Sequence, residues 1–171
     1  MKTARAILGL VLLVVVLTVV FLVMGDDADP AAPDPGTPAV PGDAGEAWVD
    51  YVHDGDTLFF TDGRKVRLLG IDTPEVGRDA ECGGDAARER LRAVLPEGTR
   101  VRTVADVQER DRYDRWLLFL FTDDGGFVNL DLIRDGYAEA VVIPPNTLWS
   151  EHLEEAEREA RAAGLGIWGT C

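Results

Sequence analysis

Two short acidic segments that flank a pair of strand-like runs constrain the fold of this chain more than any other feature. The first reads Asp-Gly-Asp-Thr at residues 54–57, and the second reads Asp-Thr-Pro-Glu at 72–75. The runs at 57–61 and 66–71 are rich in apolar residues, and the Thr-Asp-Gly-Arg sequence between them is typical of a turn. The sequence therefore predicts an antiparallel hairpin whose open end carries both acidic segments.

This hairpin would make Asp56 and Asp72 neighbours in space. Two carboxylates at close range repel each other and lose solvation, so the pair needs a cation or a shared proton, and a cation is the simpler solution. Oxygen ligands without His or Cys favour a hard metal ion. Pro74 restricts Thr73 to an extended backbone, so the Thr73 carbonyl can supply a third oxygen. We predict a metal site at Asp56, Asp72 and Thr73.

Several motifs resemble those of the staphylococcal nuclease, or thermonuclease, family. They cover roughly residues 48–168 and read DGDT, VRLLGIDTPE, DRYDR, PPN, EHL on a helix, and GLGIW. The resemblance implies an α+β fold, a five-stranded OB-type β-barrel with three helices. It also implies calcium-dependent cleavage of DNA and RNA. In this family's pattern Asp56, Asp72 and the Thr73 carbonyl would bind Ca²⁺, and Glu75 would activate the attacking water.

The resemblance further implies that Arg67 and Arg115 clamp the phosphate, with Tyr113 and Arg112 binding the substrate beside them. Attack on a phosphodiester builds negative charge on the phosphoryl oxygens, which a metal ion and forked guanidinium donors can stabilise. Arginine suits this role because it stays charged and binds two oxygens at once. The alternative role for Arg67 is a surface ion pair. The alternative role for Arg115 is an ion pair with Asp111 or Asp114.

The chain departs from the family pattern at three positions. Asp114 stands before Arg115 where the family usually has glycine, and its charge is expected to weaken the grip of Arg115 on phosphate. Val141 and Ile143 stand where the staphylococcal enzyme has tyrosines that pack on the nucleotide base. Stacking contributes about 1 to 3 kcal/mol per base, so we expect weaker and less base-selective binding.

The N-terminal region predicts export of the domain. Residues 1–25 carry Lys2 and Arg5 and then about twenty apolar residues at 6–25, enough to span a bilayer. No clear Ala-x-Ala cleavage motif follows, so we expect an uncleaved transmembrane anchor, with a cleaved signal peptide and secretion as the alternative. Basic residues before this segment and acidic residues after it place the remainder outside the membrane. Residues 26–47 are rich in Pro, Ala, Gly and Asp and are expected to form a disordered linker.

Residues 48–171 are long enough for one domain with a modest core, and we expect a monomer. The remaining pattern predicts helices at 85–95, 129–135 and 147–163, strands at 100–107 and 116–121, and extended chain at 137–142. Cys82 and Cys171 are the two cysteines, and outside the cytoplasm an even number favours a disulfide over two free thiols.

The charge balance argues against tight non-specific binding of nucleic acid. The formal net charge is -14, with 25 acidic residues against 15 Lys and Arg from Trp48 onward. Such binding depends on basic contacts to phosphate, although two arginines and a divalent cation can still form a local positive pocket.

The motifs taken together make a calcium-dependent nuclease the leading hypothesis. A catalytically weak OB-type binding module and a surface domain stabilised by calcium are the alternatives.

Overall fold

The computed structural model describes residues 36–171 of the chain. The predicted anchor at 1–25 lies outside the described residues, as does the first part of the predicted linker. Within the described part of the chain, no helix combines the length and apolar character needed to cross a membrane.

A closed five-stranded barrel forms the body of the fold, with strand order β1-β2-β3-β6-β5. All neighbouring pairs are antiparallel except β3 and β6, which run parallel. A separate two-stranded sheet pairs β4 with β7. The strands are β1 (Gly45–Val52), β2 (Thr57–Phe60), β3 (Lys65–Leu68), β4 (Ile71–Asp72), β5 (Arg100–Val104), β6 (Trp116–Phe121) and β7 (Glu139–Ala140).

Among residues 36–171, three helices accompany the barrel, and a fourth, very short one follows near the C-terminus. They are α1 (Gly84–Val94), α2 (Val128–Arg134), α3 (Ser150–Ala163) and α4 (Ile167–Thr170), with a 3₁₀ turn at Gly77–Asp79. Helix α3 buries Leu153, Ala156 and Ala160, one stripe of an amphipathic helix. The predicted α+β fold, a five-stranded OB-type barrel with three helices, is confirmed.

The alternation of side chains along β3 determines which groups reach the site. Val66 and Leu68 are buried in the core, whereas Lys65 and Arg67 lie on the outer face of the strand. Residues two apart in a strand point to the same side, so Arg67 and Lys65 share one face of the barrel. The apolar run at 66–71 had left this orientation open.

The first strand begins at Gly45, within residues 26–47 that were expected to form a linker. Gly45 and Glu46 are exposed but pair with β5 through their backbones, and Ala47 is buried in the core. Arg134 also donates a hydrogen bond to the Thr37 hydroxyl at 2.8 Å. The last residues of the expected linker therefore belong to the folded domain.

The predicted disulfide between Cys82 and Cys171 is confirmed. The sulfur atoms lie 2.02 Å apart, and the bridge joins the segment before α1 to the end of the chain. It thereby closes a loop of 89 residues.

Candidate active site

The β2–β3 hairpin forms as predicted and positions Asp56 at its open end. Thr57 pairs with Arg67, and the Leu68 amide donates to the Asp56 carbonyl at 2.8 Å. Leu68, not Asp72, therefore lies opposite Asp56. The chain then turns at Gly70, where φ is 73°, and β4 brings Asp72 back toward the hairpin end.

Arg67 joins the two aspartates. Its Nη2 atom lies 3.0 Å from Asp56 Oδ2 and 2.6 Å from Asp72 Oδ1. Its Nη1 atom donates to the carbonyls of Leu68 at 3.0 Å and Ile71 at 2.8 Å. The two carboxylates thus meet at one guanidinium group on the outer face of β3.

Asp56 is a buried carboxylate, and both of its oxygen atoms accept hydrogen bonds. Thr57 Oγ1 donates to its Oδ1 at 3.0 Å, and the amide and hydroxyl of Thr73 donate to Oδ2 at 3.2 and 3.1 Å. Burial raises the pKa of Asp56 to about 6, Arg67 opposes this increase, and the charge of Asp54 adds to it. The Arg67 guanidinium, 3.0 Å from Asp56 Oδ2, is the cation that limits this increase in pKa.

Gly55 lets the two acidic segments approach each other closely. A Cβ atom at this position would lie 2.7 Å from Thr73 Oγ1 and 2.8 Å from the Ala87 side chain. Such distances are too short for any side chain. The glycine of the Asp-Gly-Asp-Thr segment is thus required by the packing of the Thr73 loop.

A groove of about 480 Å³ lies beside Arg67. Arg112, Tyr113 and Arg115 line the same groove, so four of the predicted site residues share it. Arg112 donates to the Tyr113 hydroxyl at 2.6 Å, and the Arg115 guanidinium lies 5.6 Å from the Tyr113 ring. Tyr113 is 65% exposed and therefore open to a ligand.

Arg115 is held by Asp111 and not by Asp114. Its Nε donates to Asp111 Oδ2 at 2.7 Å, and its amide donates to Oδ1 at 3.0 Å. Burial raises the pKa of Asp111, but these bonds and the Arg115 charge outweigh it, so the pKa lies below its ordinary value. Asp114, which has a φ of 62°, accepts instead from Arg110 at 2.5 Å.

Glu75 lies on the exposed loop after Pro74. Its amide donates to Glu81 Oε2 at 3.0 Å, and its carbonyl accepts from the Glu81 amide at 2.9 Å. Among residues 36–171, the Glu75 carboxylate forms no hydrogen bond or ion pair with Arg67, Asp72 or any other group. Its role in the chemistry stays a prediction.

Val141 and Ile143, the positions that lack tyrosine, line the same groove as Arg67. Ile143 is 68% exposed, so this wall offers aliphatic contact to a ligand and no aromatic ring face. The groove keeps one exposed ring, that of Tyr113.

Asn146 is a site residue that the sequence alone did not indicate. It is buried, its Oδ1 accepts from the Gln108 amide at 2.7 Å, and its Nδ2 donates to the Gln108 carbonyl at 2.9 Å. This amide pair attaches the loop that carries Arg115 to the 143–146 segment. Pro144-Pro145-Asn146 was visible as a motif, but its partner lies far away in sequence.

Asn129 plays a comparable part deeper in the fold. It is fully buried, accepts from the Leu120 amide at 3.0 Å and donates to the Leu69 carbonyl at 2.8 Å. These bonds tie α2 to β6 and to the turn after β3. They hold the backbone between Arg67 and Asp72.

The donor set around Arg67 suits a hard cation but is small. No cluster of three or more His, Cys, Asp or Glu suited to a metal ion occurs in the part of the chain that the structure describes. Asp56 and Asp72 supply carboxylate oxygens from two segments, and a raised pKa at Asp56 indicates a carboxylate that gains from a nearby cation. Two carboxylates suit an ion that keeps open positions for water and substrate.

Comparison with known proteins shows clear similarity over the barrel and helices. The family model described as staphylococcal nuclease homologue matches residues 65–170. A thermonuclease of Staphylococcus intermedius is 36% identical over 131 residues, covering 72% of this chain and 77% of that protein. A thermonuclease of Staphylococcus hyicus is 32% identical over 123 residues, covering 68% and 72%. The SPbeta prophage-derived endonuclease YokF of Bacillus subtilis is 32% identical over 127 residues, covering 70% of this chain and 43% of that protein.

Proposed function

The chain belongs to the staphylococcal nuclease family, and we propose that it is a calcium-dependent nuclease that hydrolyses phosphodiester bonds in DNA and RNA. One observation carries the proposal: Asp56 and Asp72 converge on Arg67, which lines one groove with Arg115. Carboxylates beside convergent guanidinium groups form an arrangement that can hold both a cation and a phosphate.

In this proposal Asp56, Asp72 and the Thr73 carbonyl hold Ca²⁺. The bound ion would supply positive charge beside the scissile phosphate and so reduce the cost of the charge that develops there. It would also balance the Asp56 and Asp72 carboxylates, which in this structure are both paired with Arg67. Arg67 would then be available to a phosphate.

The protein side chains divide the remaining work. Arg67 and Arg115 donate N–H groups to the phosphoryl oxygens, where negative charge grows during attack. Asp111 holds Arg115 through one hydrogen bond from the guanidinium Nε and one from the backbone amide, which limits the entropy lost when phosphate binds. Glu75 accepts a proton from the attacking water, and its exposed position gives it access to bulk solvent. Arg112 and Tyr113 contact the substrate at the rim of the groove.

The test is digestion of single-stranded DNA and of RNA by the full-length chain in detergent, with calcium, with magnesium and with chelator. We expect cleavage with calcium and none with chelator. Glu75→Gln should lower kcat by about 10²- to 10⁴-fold because the general base is lost. Glu154→Gln, an exposed glutamate on α3, is the matched control and should leave kcat unchanged. Equal kcat for Glu75→Gln and the wild type would remove Glu75 from the mechanism.

A binding module without turnover is the second candidate, because Arg67 and Arg115 each already have carboxylate partners. This candidate predicts calcium-dependent retention of labelled oligonucleotide with no shorter products. The same digestion, followed on a gel, separates the two.

We propose that the enzyme acts outside the cytoplasmic membrane, anchored through residues 6–25, or secreted after cleavage. The Cys82–Cys171 bridge supports this location, because stable structural disulfides form mainly in oxidising compartments. Protease added to intact cells should degrade the domain if it is surface-exposed and anchored. A domain that resists protease until the cells are lysed would contradict the proposal.

A further inference from the structure

An exposed aromatic pair lies on the outer face of the barrel and does not line the groove described above. Tyr51 on β1 and Phe59 on β2 stack with ring centroids 4.6 Å apart and planes inclined by 12°. Tyr51 is 41% exposed and Phe59 is half-buried. Lys65 on β3 completes the group, with Nζ 5.6 Å from the Phe59 ring centre. We call Tyr51, Phe59 and Lys65 the aromatic platform.

Strand register makes the aromatic platform continuous with the candidate active site. Tyr51 pairs with Phe59, and Phe59 pairs with Lys65, so the three side chains form a row across the sheet. Lys65 and Arg67 occupy the same face of β3 two residues apart, which corresponds to about 7 Å. At a stacked spacing of about 3.4 Å per nucleotide, this distance spans roughly two nucleotides.

The charge of the platform is unusual for so acidic a domain. Lys65 has no carboxylate partner among residues 36–171, whereas Arg67 and Arg115 are both paired. A groove of about 500 Å³ adjoins Tyr51, and it is lined by Glu97 and by Arg92, which is paired with Glu89 at 2.9 Å. The row therefore offers the exposed Tyr51 ring, which stacks on Phe59 with one face, and the ammonium group of Lys65 at the other end.

We propose that the aromatic platform binds the nucleotides that flank the scissile phosphate in a single-stranded polynucleotide, a proposal that rests on the nuclease function above. Bases stack on exposed aromatic rings irrespective of sequence, and a lysine beside the rings attracts the intervening phosphate. The bases must be unpaired to reach the rings, so single-stranded regions are the preferred substrate. This surface supplies aromatic contact that Val141 and Ile143 do not provide in the groove.

The test compares kcat/KM for a single-stranded oligonucleotide of about twelve nucleotides with that for one of about three, with calcium and full-length chain. We divide kcat/KM for the long oligonucleotide by kcat/KM for the short one. Only the long oligonucleotide can contact the protein outside the active groove, so this ratio reports on those contacts. Tyr51→Ala and Lys65→Ala should each lower this ratio, on the order of 10-fold for Tyr51→Ala. Tyr51→Phe keeps the ring and should restore the ratio to its wild-type value.

Arg161→Ala is the matched control, because it also removes a cation that lies over an aromatic ring, in this case Trp168 at 3.6 Å. It should leave the ratio unchanged. An unchanged ratio in Tyr51→Ala and Lys65→Ala, with cleavage intact, would overturn the platform while leaving the nuclease proposal standing. Circular dichroism of each variant verifies that the barrel is folded.

A binding measurement separates failure of the platform from failure of the nuclease function. Fluorescence anisotropy of the labelled long oligonucleotide is recorded in the Glu75→Gln background with calcium. Weaker binding on Tyr51→Ala supports the platform even if the wild type cleaves nothing. A change in sedimentation of Tyr51→Ala without any change in binding would identify the surface as a contact between protein chains and overturn the proposal.

Discussion

Asp114 adopts a backbone conformation that most residues avoid, with a φ of 62°. Asp tolerates this region better than most side chains, and Gly tolerates it best. Its carboxylate pairs with Arg110, yet the chain position next to Arg115 keeps a negative charge near the groove. Both the backbone and the charge can therefore be tested at one residue.

We expect Asp114→Gly to lower KM for oligonucleotides about two- to fivefold, because an exposed charge at short range is worth roughly 1 kcal/mol. The free energy of unfolding should change by less than about 1 kcal/mol, since relief of the positive φ offsets the loss of a surface ion pair. Steady-state kinetics and thermal unfolding measure the two effects. Asp114→Asn keeps the backbone preference and should give the same KM as Asp114→Gly. If both variants have the same KM as the wild type, the charge of Asp114 does not affect phosphate binding.

The loop that carries Arg115 depends on a single amide side chain from another segment. Asn146→Ala would leave the amide and carbonyl of Gln108, an exposed residue, without their protein partners, at a cost on the order of 1 kcal/mol. We expect a lower melting temperature and a higher KM, because Arg115 loses its fixed position. Gln108→Ala is the control, since it keeps the backbone groups that Asn146 binds. If Asn146→Ala lowers stability and leaves KM unchanged, the position of Arg115 does not depend on Asn146.

The disulfide ties the Glu75 loop to the C-terminal segment. Cys82 follows Glu81, whose backbone and side chain hold the Glu75 backbone, and Cys171 ends the chain after α4. Closure of a loop of 89 residues stabilises the domain by about 4 to 5 kcal/mol in the chain-entropy model. Reductant should therefore lower the melting temperature by on the order of 10 °C, and kcat should fall as the Glu75 loop loosens. The Cys82→Ser, Cys171→Ser double variant should be insensitive to reductant. Identical melting curves with and without reductant would refute this contribution.

Local patterns predicted the elements that depend on neighbouring residues. Turn residues between two apolar runs indicated the β2–β3 hairpin, and helical spacing indicated α1, α2 and α3 within a few residues of their observed bounds. Gly45 and Glu46 were assigned to the linker because their polar composition hides a strand that pairs only through its backbone.

Features that depend on distant contacts were not predictable from the same patterns. The run at 66–71 is apolar apart from Arg67 and Gly70, so the turn at Gly70 and the separate strand β4 remained hidden. Asn146 acts through Gln108, and Asp111 rather than Asp114 holds Arg115 because of the loop conformation. The Asn146 contact is set by tertiary packing, which periodicity does not report, whereas the sequence indicated Asp111 and Asp114 as candidate partners of Arg115 and the loop conformation selects Asp111.

At the scale of the whole molecule, the negative net charge of the protein disfavours binding of the proposed polyanionic substrate. A net charge of -14 repels a polyanion at long range, while only a few cations reach it at short range. Long-range repulsion weakens as the Debye length falls from about 30 Å at 0.01 M to about 10 Å at 0.1 M salt. Short-range phosphate contacts weaken more gradually with salt, with a slope of about -0.7 for each phosphate neutralised on a single strand.

These two dependences have opposite signs, so KM should pass through a minimum as salt increases. At saturating calcium we expect KM to fall between about 0.01 and 0.1 M salt, where repulsion is screened, and to rise above about 0.2 M, where phosphate contacts are lost. Glu151, Glu154 and Glu159 on α3 are exposed and form no ion pair among residues 36–171. Changing all three to Gln should lower KM at 0.01 M salt and leave KM at high salt unaltered. A KM that rises at every step of added salt, in both proteins, would mean that local cations outweigh the acidic body at all distances.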